Sequence, residues 1–288
     1  MGVVVNTNIS SITASRILSE NRSDLEKAME RLASGKRINS AADDAAGMAV
    51  AAKMRADISS LNQSVRNTND AISLVNTYDG AAAEIESILI RMRELAVQSK
   101  NGTYESADRT NADYEYTALK NEITRIAGVS AFNRMTVGQG ATAAAGTTGS
   151  ADTAFSFYVG SDVAKTGNTV TFSAKALDLN LAVSASSLTD ITTAANAGTA
   201  ISSLDDAIYE LAANRAQAGA LVNRLEHTVS NLMNVSQRLQ EAVSGIEDAD
   251  YASESANLAR GMVLAQAGTA MLAQANQAPQ YILSLLRG

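Results

Sequence analysis

The 288-residue chain has no cysteine, no tryptophan, one proline and one histidine. The missing cysteine excludes disulfides, thiolate nucleophiles and thiolate metal sites. A single histidine, His227, excludes any two-histidine metal site and leaves one candidate for imidazole catalysis. With Pro279 the only proline, almost nothing forbids helix. Aromatics are 4% of residues, too little bulk for the usual large enclosed core. Basic residues number 23 against 30 acidic ones and form no run, which argues against a nucleic-acid partner. No segment offers the ~18 uninterrupted apolar residues of a membrane span. The opening MGVVVNTNIS lacks a basic n-region and a long apolar core, so a Sec-type signal peptide is not expected. Asn6 stands where myristoylation of Gly2 would need Ser or Thr. A cytosolic chain, or one exported without a cleaved signal, is the expectation.

What is present is periodicity. From Ile201 to Ile246, fourteen positions step alternately by three and four residues: 201, 204, 208, 211, 215, 218, 222, 225, 229, 232, 236, 239, 243 and 246. All are Ile, Leu or Val except Arg215, Ala218 and Ser236. This is the seam of one long helix packed on other helices at coiled-coil spacing. At about 1.5 Å per residue it would span roughly 70 Å, so it needs partners along its whole length. Arg215 and Ser236 read as polar positions that set register, and a buried Arg215 would need a carboxylate partner.

Other helical segments flank it. Residues 1–34 are amphipathic. After Gly35, Ser40 with Asp43 reads as a helix N-cap. Met54, Ile58, Leu61, Val65, Thr68, Ile72 and Val75 mark a second helix, with a break expected at Tyr78-Asp79-Gly80. Ala81 to Ser99 carries a third, ended by Asn101-Gly102, and Tyr116 to Ile126 a fourth, stopping near Gly128. Residues 136–200 turn rich in Gly, Ala, Ser and Thr. There AFSFYVG, TVTFSA and LDLNLAV alternate like short strands, and ATAAAGTTGSAD reads as an exposed loop. After GIEDADYA the segment 252–288 is helical, with Pro279 expected to end or kink it. The fold class is therefore mainly α: a long antiparallel helical bundle or coiled-coil rod with a small β-hairpin region in the middle. It divides into terminal helices (1–40 and 250–288), a helical core (41–135 and 196–249) and a variable segment (136–195).

RINSAADDAAG, RMRELAVQSKNGT, GIEDADYA and AGTAMLAQANQAPQYILSLLR resemble bacterial flagellin, in the family's order and over about four fifths of the chain. The middle resembles that family's core hairpin only loosely, with nothing left over for outer domains, so a minimal flagellin is implied. The resemblance implies a self-assembling filament subunit in an extracellular bacterial flagellum, with the terminal helices in an inner tube and the helices inside them in an outer one. It implies export through the flagellar secretion channel without a cleaved signal. The implied partners are the chain itself, an export chaperone at the C-terminal segment, cap and hook-junction proteins, and the host flagellin-sensing Toll-like receptor. The apolar residues expected to carry polymerisation are Leu18, Leu25, Leu32, Leu258, Leu272 and Leu286. The receptor patch that carries over is Arg91, Leu95, Gln98 and Glu115. The short, alanine-rich arms offer little core to offset ordering entropy, so they are expected to fold only against neighbours.

Catalytic and metal readings fare worse. Adjacent carboxylates at Asp43-Asp44 do not face one another on a helix, and acids near a helix start are ordinary. Glu247, Asp248 and Asp250 lack calcium-loop spacing and read as a solvated turn. His227 lies outside the stripe with no nucleophile motif, as a surface histidine would. Neither catalytic residues, nor metal ligands, nor cofactors are expected. The rival readings are a hook–filament junction protein and a non-flagellar secreted or receptor coiled coil.

Overall fold

The computed structural model describes residues 7–138, 153–160, 167–174, 177 and 189–287, and excludes the side chains of 153, 154, 174 and 278–287. The elements run α1 (Ile9–Ser34), α2 (Ala45–Lys100), α3 (Ser106–Val129), β1 (Ala131–Phe132), β2 (Met135–Thr136), β3 (Thr153–Tyr158), β4 (Thr169–Ala174), α4 (Ala194–Glu247) and α5 (Tyr251–Arg287). The chain is mainly α, as its periodicity predicts. It groups into two compact units, residues 1–58 with 237–288, and residues 59–236. The divisions thus fall inside α2 and α4, whereas the sequence pattern places its boundaries near 40 and 250.

The unit of residues 59–236 is built on the predicted stripe. All fourteen positions from Ile201 to Ile246 are buried or half-buried. Within this unit, Leu204, Leu211 and Ala218 of α4 share a core with Leu74, Ile85 and Met92 of α2. Polar pairs fix an antiparallel register: Arg93 to Asp205 at 2.5 Å, Ser236 Oγ to Asn62 Oδ1 at 3.2 Å, and Arg215 to Asp79 and Glu86. Arg215 therefore bridges two carboxylates that lie two turns apart on α2, a partnership the sequence could not name. Tyr116 and Ile123 bring α3 onto the same core.

The break expected at Tyr78-Asp79-Gly80 does not occur, because α2 runs unbroken for 56 residues. The stripe explains why. Val75, Tyr78, Ala82, Ile85, Leu89 and Met92 continue the alternation of three and four through the supposed turn, and all are buried. Tyr78 meets Phe172 edge-on with ring centroids 5.4 Å apart, and Asp79 holds Arg215 at 2.8 Å. Tertiary contacts outweigh the roughly 1 kcal/mol that a mid-helix glycine costs relative to alanine. Pro279 likewise does not end α5, whose backbone stays helical to Arg287.

Ser40 is not the cap of α2. The helix starts at Ala45, and the carboxylate of Asp44 accepts the Gly47 N–H at 2.8 Å. Asp43 instead accepts the N–H groups of Ser40 and Asn39, which hold its carboxyl below the usual range. A Cβ at Gly47 would run into that Asp44 carboxylate and into Ile38 Cδ1 at 2.9 Å, so glycine there leaves both side chains their present positions.

Two of the three expected strands form one hairpin, β3 pairing antiparallel with β4 so that Phe155 opposes Phe172 and Phe157 opposes Val170. Ser64 Oγ donates to Gly160 O (2.8 Å) and Asn67 Nδ2 to Tyr158 O (3.3 Å), tying the hairpin to α2. The third expected strand, LDLNLAV, and the loop ATAAAGTTGSAD lie outside the described residues except for Leu177. A second, shorter hairpin, β1–β2, is not legible as alternation. It turns at Asn133 and Arg134, both left-handed, with φ of 49° and 65°.

A Cβ added at Gly80 would meet nothing within 4 Å, and the residue sits in a continuous helix. Gly80→Ala is expected to stabilise the monomer by about 0.5–1 kcal/mol, seen as a higher urea midpoint. A lower midpoint would mean that residue 80 has a turn-like role after all.

Candidate assembly surface

Two surfaces emerge, one in each unit. The first is the pair of terminal helices, α1 and α5. Asn8 caps α1, accepting the Ser11 N–H at 3.1 Å while its Nδ2 donates to Ala275 O at 2.7 Å. Gly35, left-handed at φ 70°, closes the other end, its N–H donating to Arg31 O. Contacts of Asn8 with Ala275, Ser11 with Asn276, Leu18 with Gly268, Leu25 with Gly261 and Arg31 with Glu254 pair the helices antiparallel. Gly268 is the tight point of the pairing, and Gly261 has room for a small side chain. A Cβ at Gly268 would lie 3.2 Å from Leu18 Cδ1, and one at Gly261 3.5 Å from Leu25 Cβ.

Few side chains are covered by this pairing. Leu18 and Ala28 are the buried residues of α1. Leu25, Leu32, Leu258 and Leu272 are half-buried, and the side chain of Leu286 lies outside the described residues. So Leu18 and Leu25 face the partner helix of the same chain. The apolar side chains left open are others: Ile9 (66% exposed), Ile12, Ile17, Met262, Val263, Leu264 and Met271. The sequence pattern puts Ile9, Ile12 and Met262 in apolar stripes without marking any of these seven for polymerisation, yet a signal exists. At 100° per residue, the run Met262-Val263-Leu264 spans too wide an arc to face one partner. A helix apolar around much of its circumference expects more than one neighbour.

The same unit holds a polar junction. Arg37 N–H donates to Glu247 O (2.6 Å), Ala249 N–H to Gly35 O (3.0 Å) and Tyr251 Oη to Leu32 O (2.9 Å). The reading of Glu247 as part of a solvated turn is overturned: it is buried, with its carboxylate 3.0 Å from Arg55 and 3.7 Å from Lys36. Folding brings those cations from α2 and the α1–α2 connection, which spacing along the chain could not reveal. Asp250, by contrast, caps α5, accepting the Ala252 N–H at 2.9 Å.

The second surface lies on α2 and α3. Arg91 spans Glu115 (2.9 Å) and Glu94 (3.0 Å), and its hydrogen bond to Glu115, then that to Glu94, raises its pKa. Gln98 is exposed beside them in sequence and donates to Tyr104 Oη at 3.0 Å. Leu95 is not part of that exposed surface. It is 3% exposed and belongs to the core shared with α4. His227 is exposed on α4. Among the described residues, no cluster of three or more His, Asp or Glu is placed to hold a metal ion. Nor is any described helix long and apolar enough to cross a membrane.

The profile described as the bacterial flagellin N-terminal helical region matches residues 5–143, and that of the bacterial flagellin C-terminal helical region matches 201–286. The chain belongs to the bacterial flagellin family. It is 42% identical to a flagellin of Halalkalibacterium halodurans over 285 residues, covering 99% of this chain and 100% of the relative. It is 39% identical to a flagellar filament 33 kDa core protein of Treponema phagedenis, over 99% and 100% of the two chains. It is 37% identical to the Bacillus subtilis flagellin, over 98% and 99%. Among solved structures, Bacillus cereus flagellin is 36% identical, with a TM-score of 0.48 over 58% of this chain and 88% of that one. A Vibrio parahaemolyticus chain assigned as a flagellar hook-associated protein gives a TM-score of 0.56 at 13% identity, over 72% and 100%. At that identity the likeness is one of fold. The first profile covers α1 to β2 and the second most of α4 and nearly all of α5. Between them lies the β3–β4 hairpin, spanned by the end-to-end relatives.

Glu247→Gln keeps the shape but removes the charge facing Arg55 and Lys36. It is expected to destabilise the monomer by about 1–3 kcal/mol, since a buried charged hydrogen bond is lost. Urea unfolding measures this, and an unchanged midpoint would show that the pair contributes nothing.

Proposed function

We propose that the chain is the structural subunit of a bacterial flagellar filament, assembling with copies of itself into an extracellular helical polymer that serves motility. The observation that carries the reading is the terminal pair. Both α1 and α5 present large apolar side chains that their mutual packing leaves uncovered, and flagellins from several organisms match the chain from end to end. Uncovered apolar area is worth about 25 cal/mol per Å² once removed from water, so stacking of further copies is the stabilising event. Contacts between different faces of identical subunits do not close on themselves and propagate as a helix. The relatives' names, flagellin and filament core protein, favour this over a hook–filament junction role.

In this reading, residues 1–40 and 250–288 form the inner layer, and 41–249 the outer. Ile9, Ile17, Val263 and Met271 join Leu18, Leu25, Leu32, Leu258, Leu272 and Leu286 in polymerisation, with Leu18 and Leu25 closing the α1–α5 pair and Ile9, Ile17, Val263 and Met271 meeting neighbours. Isolated arms with so few buried residues gain most of their order from those neighbours. The role is structural and not enzymatic. Export proceeds through the flagellar secretion system without a cleaved signal, with a chaperone on the C-terminal segment and a cap and hook-junction proteins at the assembly ends.

Truncation after residue 268 removes Met271 and Leu272 along with the end of α5. Seeded samples are expected to yield no filaments, while the thermal melt of the unit of residues 59–236 stays unchanged. Filaments of normal length would overturn the proposal.

Arg91, with Gln98 and Glu115, is the surface offered to the host flagellin-sensing receptor. Leu95 supports it from below by fixing α2 in the core. Arg91→Ala is expected to weaken the response of receptor-bearing reporter cells to purified monomer by roughly tenfold or more, the effect of removing an arginine anchor worth about 1.4 kcal/mol or more. Equal potency would rule Arg91 out.

A further inference from the structure

Met271 is the most exposed of the methionines in the described residues, at 66%. Its surroundings single it out. It lines a groove of about 480 Å³ along the α1–α5 pair together with Ile9, Ala14, Ile17 and Leu264. Gly268 also lines it, with Leu18 packed close behind. An apolar groove on the assembling helices has to be emptied of water when the next subunit covers it. A thioether suits such a surface, being soft and adaptable in packing. It is also the one apolar side chain that mild oxidants convert to a polar one.

We propose that Met271 is a modification site at which two-electron oxidation, by hydrogen peroxide or a related peroxide, withdraws the free subunit from assembly. The inference rests on the filament reading above. In the reaction the sulfur lone pair attacks one peroxide oxygen. An S–O bond forms and the O–O bond breaks. The departing hydroxide takes the proton of the transferred oxygen and leaves as water. Sulfur is oxidised by two electrons and the peroxide is reduced by two, so no further reactant is needed. The product sulfoxide is a strong hydrogen-bond acceptor in a groove whose lining is mainly apolar (Ile9, Ala14, Ile17, Leu264), with Ser10, Thr13 and Asn21 as its polar members. In the free subunit, water satisfies it. In the filament it would be stripped of that water, so an oxidised subunit is rejected at the growing end. A subunit already in place has its thioether covered and escapes. Met92, fully buried in the core of the other unit, is an internal standard that should resist in both states.

The test uses the full chain as purified monomer and as preassembled filament, each treated with dilute hydrogen peroxide, with sulfoxide measured at every methionine by peptide mass spectrometry. Met271 is expected to oxidise about tenfold or more faster in monomer than in filament, and faster than Met92 in either. Partially oxidised monomer is then offered to seeds, and the polymer and leftover monomer are separated. The Met271 sulfoxide fraction should be depleted about tenfold or more in the polymer, and treatment with methionine sulfoxide reductases should restore incorporation. Equal fractions in polymer and leftover monomer would overturn the proposal, as would equal oxidation rates in monomer and filament. This competition needs no variant. Failure of untreated chain to elongate seeds would instead sink the filament reading itself.

Discussion

The packing of α4 on α2 through a strict alternation of three and four residues holds together the unit of residues 59–236. Leu204, Leu211, Ala218, Leu225 and Leu232 are all buried along it. Fully burying one such leucine contributes about 1.5–3 kcal/mol. That cumulative gain is what carries α2 straight through Tyr78-Asp79-Gly80. It also supplies the platform for α3 and for the β3–β4 hairpin, whose Phe172 rests on Tyr78. Polar groups on this seam act as register marks. Ser236 with Asn62, and Arg215 with Asp79 and Glu86, are satisfied only when the helices are correctly aligned.

The terminal pair solves a different problem with different residues. α1 and α5 face each other with Gly268 tight against Leu18 and Gly261 in ordinary reach of Leu25. Close approach of thin helices covers little, so their outer faces keep Ile9, Ile12, Val263 and Met271 in water. One seam is closed within the chain, and the other surface is left unfinished. The α2–α4 seam buries its apolar residues inside the chain, whereas the terminal helices keep several of theirs uncovered.

Between the arms and the rest of their unit stands the Glu247 junction. Its buried carboxylate gathers Arg55 and Lys36, while the backbones of Gly35 and Ala249 bond directly. Such a site fixes where one helix stops and the next begins without consuming apolar surface. The Arg91–Glu115 pair has the opposite character. Both side chains are solvent-exposed, so the pair adds little to stability.

Periodicity makes the helices legible, and their order, because burial on a helix must repeat every three or four residues whatever the partner. The β3–β4 hairpin is legible for the matching reason, an alternation of period two. Motif resemblance places the chain in its family. What local pattern cannot reveal are contacts made across long separations. A Tyr-Asp-Gly triplet looks like a turn until Phe172 and Arg215 are brought against it. Glu247 looks solvated until Lys36 and Arg55 arrive. Leu95 looks like part of a surface motif until the core closes over it. Which faces of each helix are apolar is written in the order of residues alone. Which of those faces are used up inside the chain, and which remain for the next subunit, depends on which helices meet, and only three-dimensional packing fixes that.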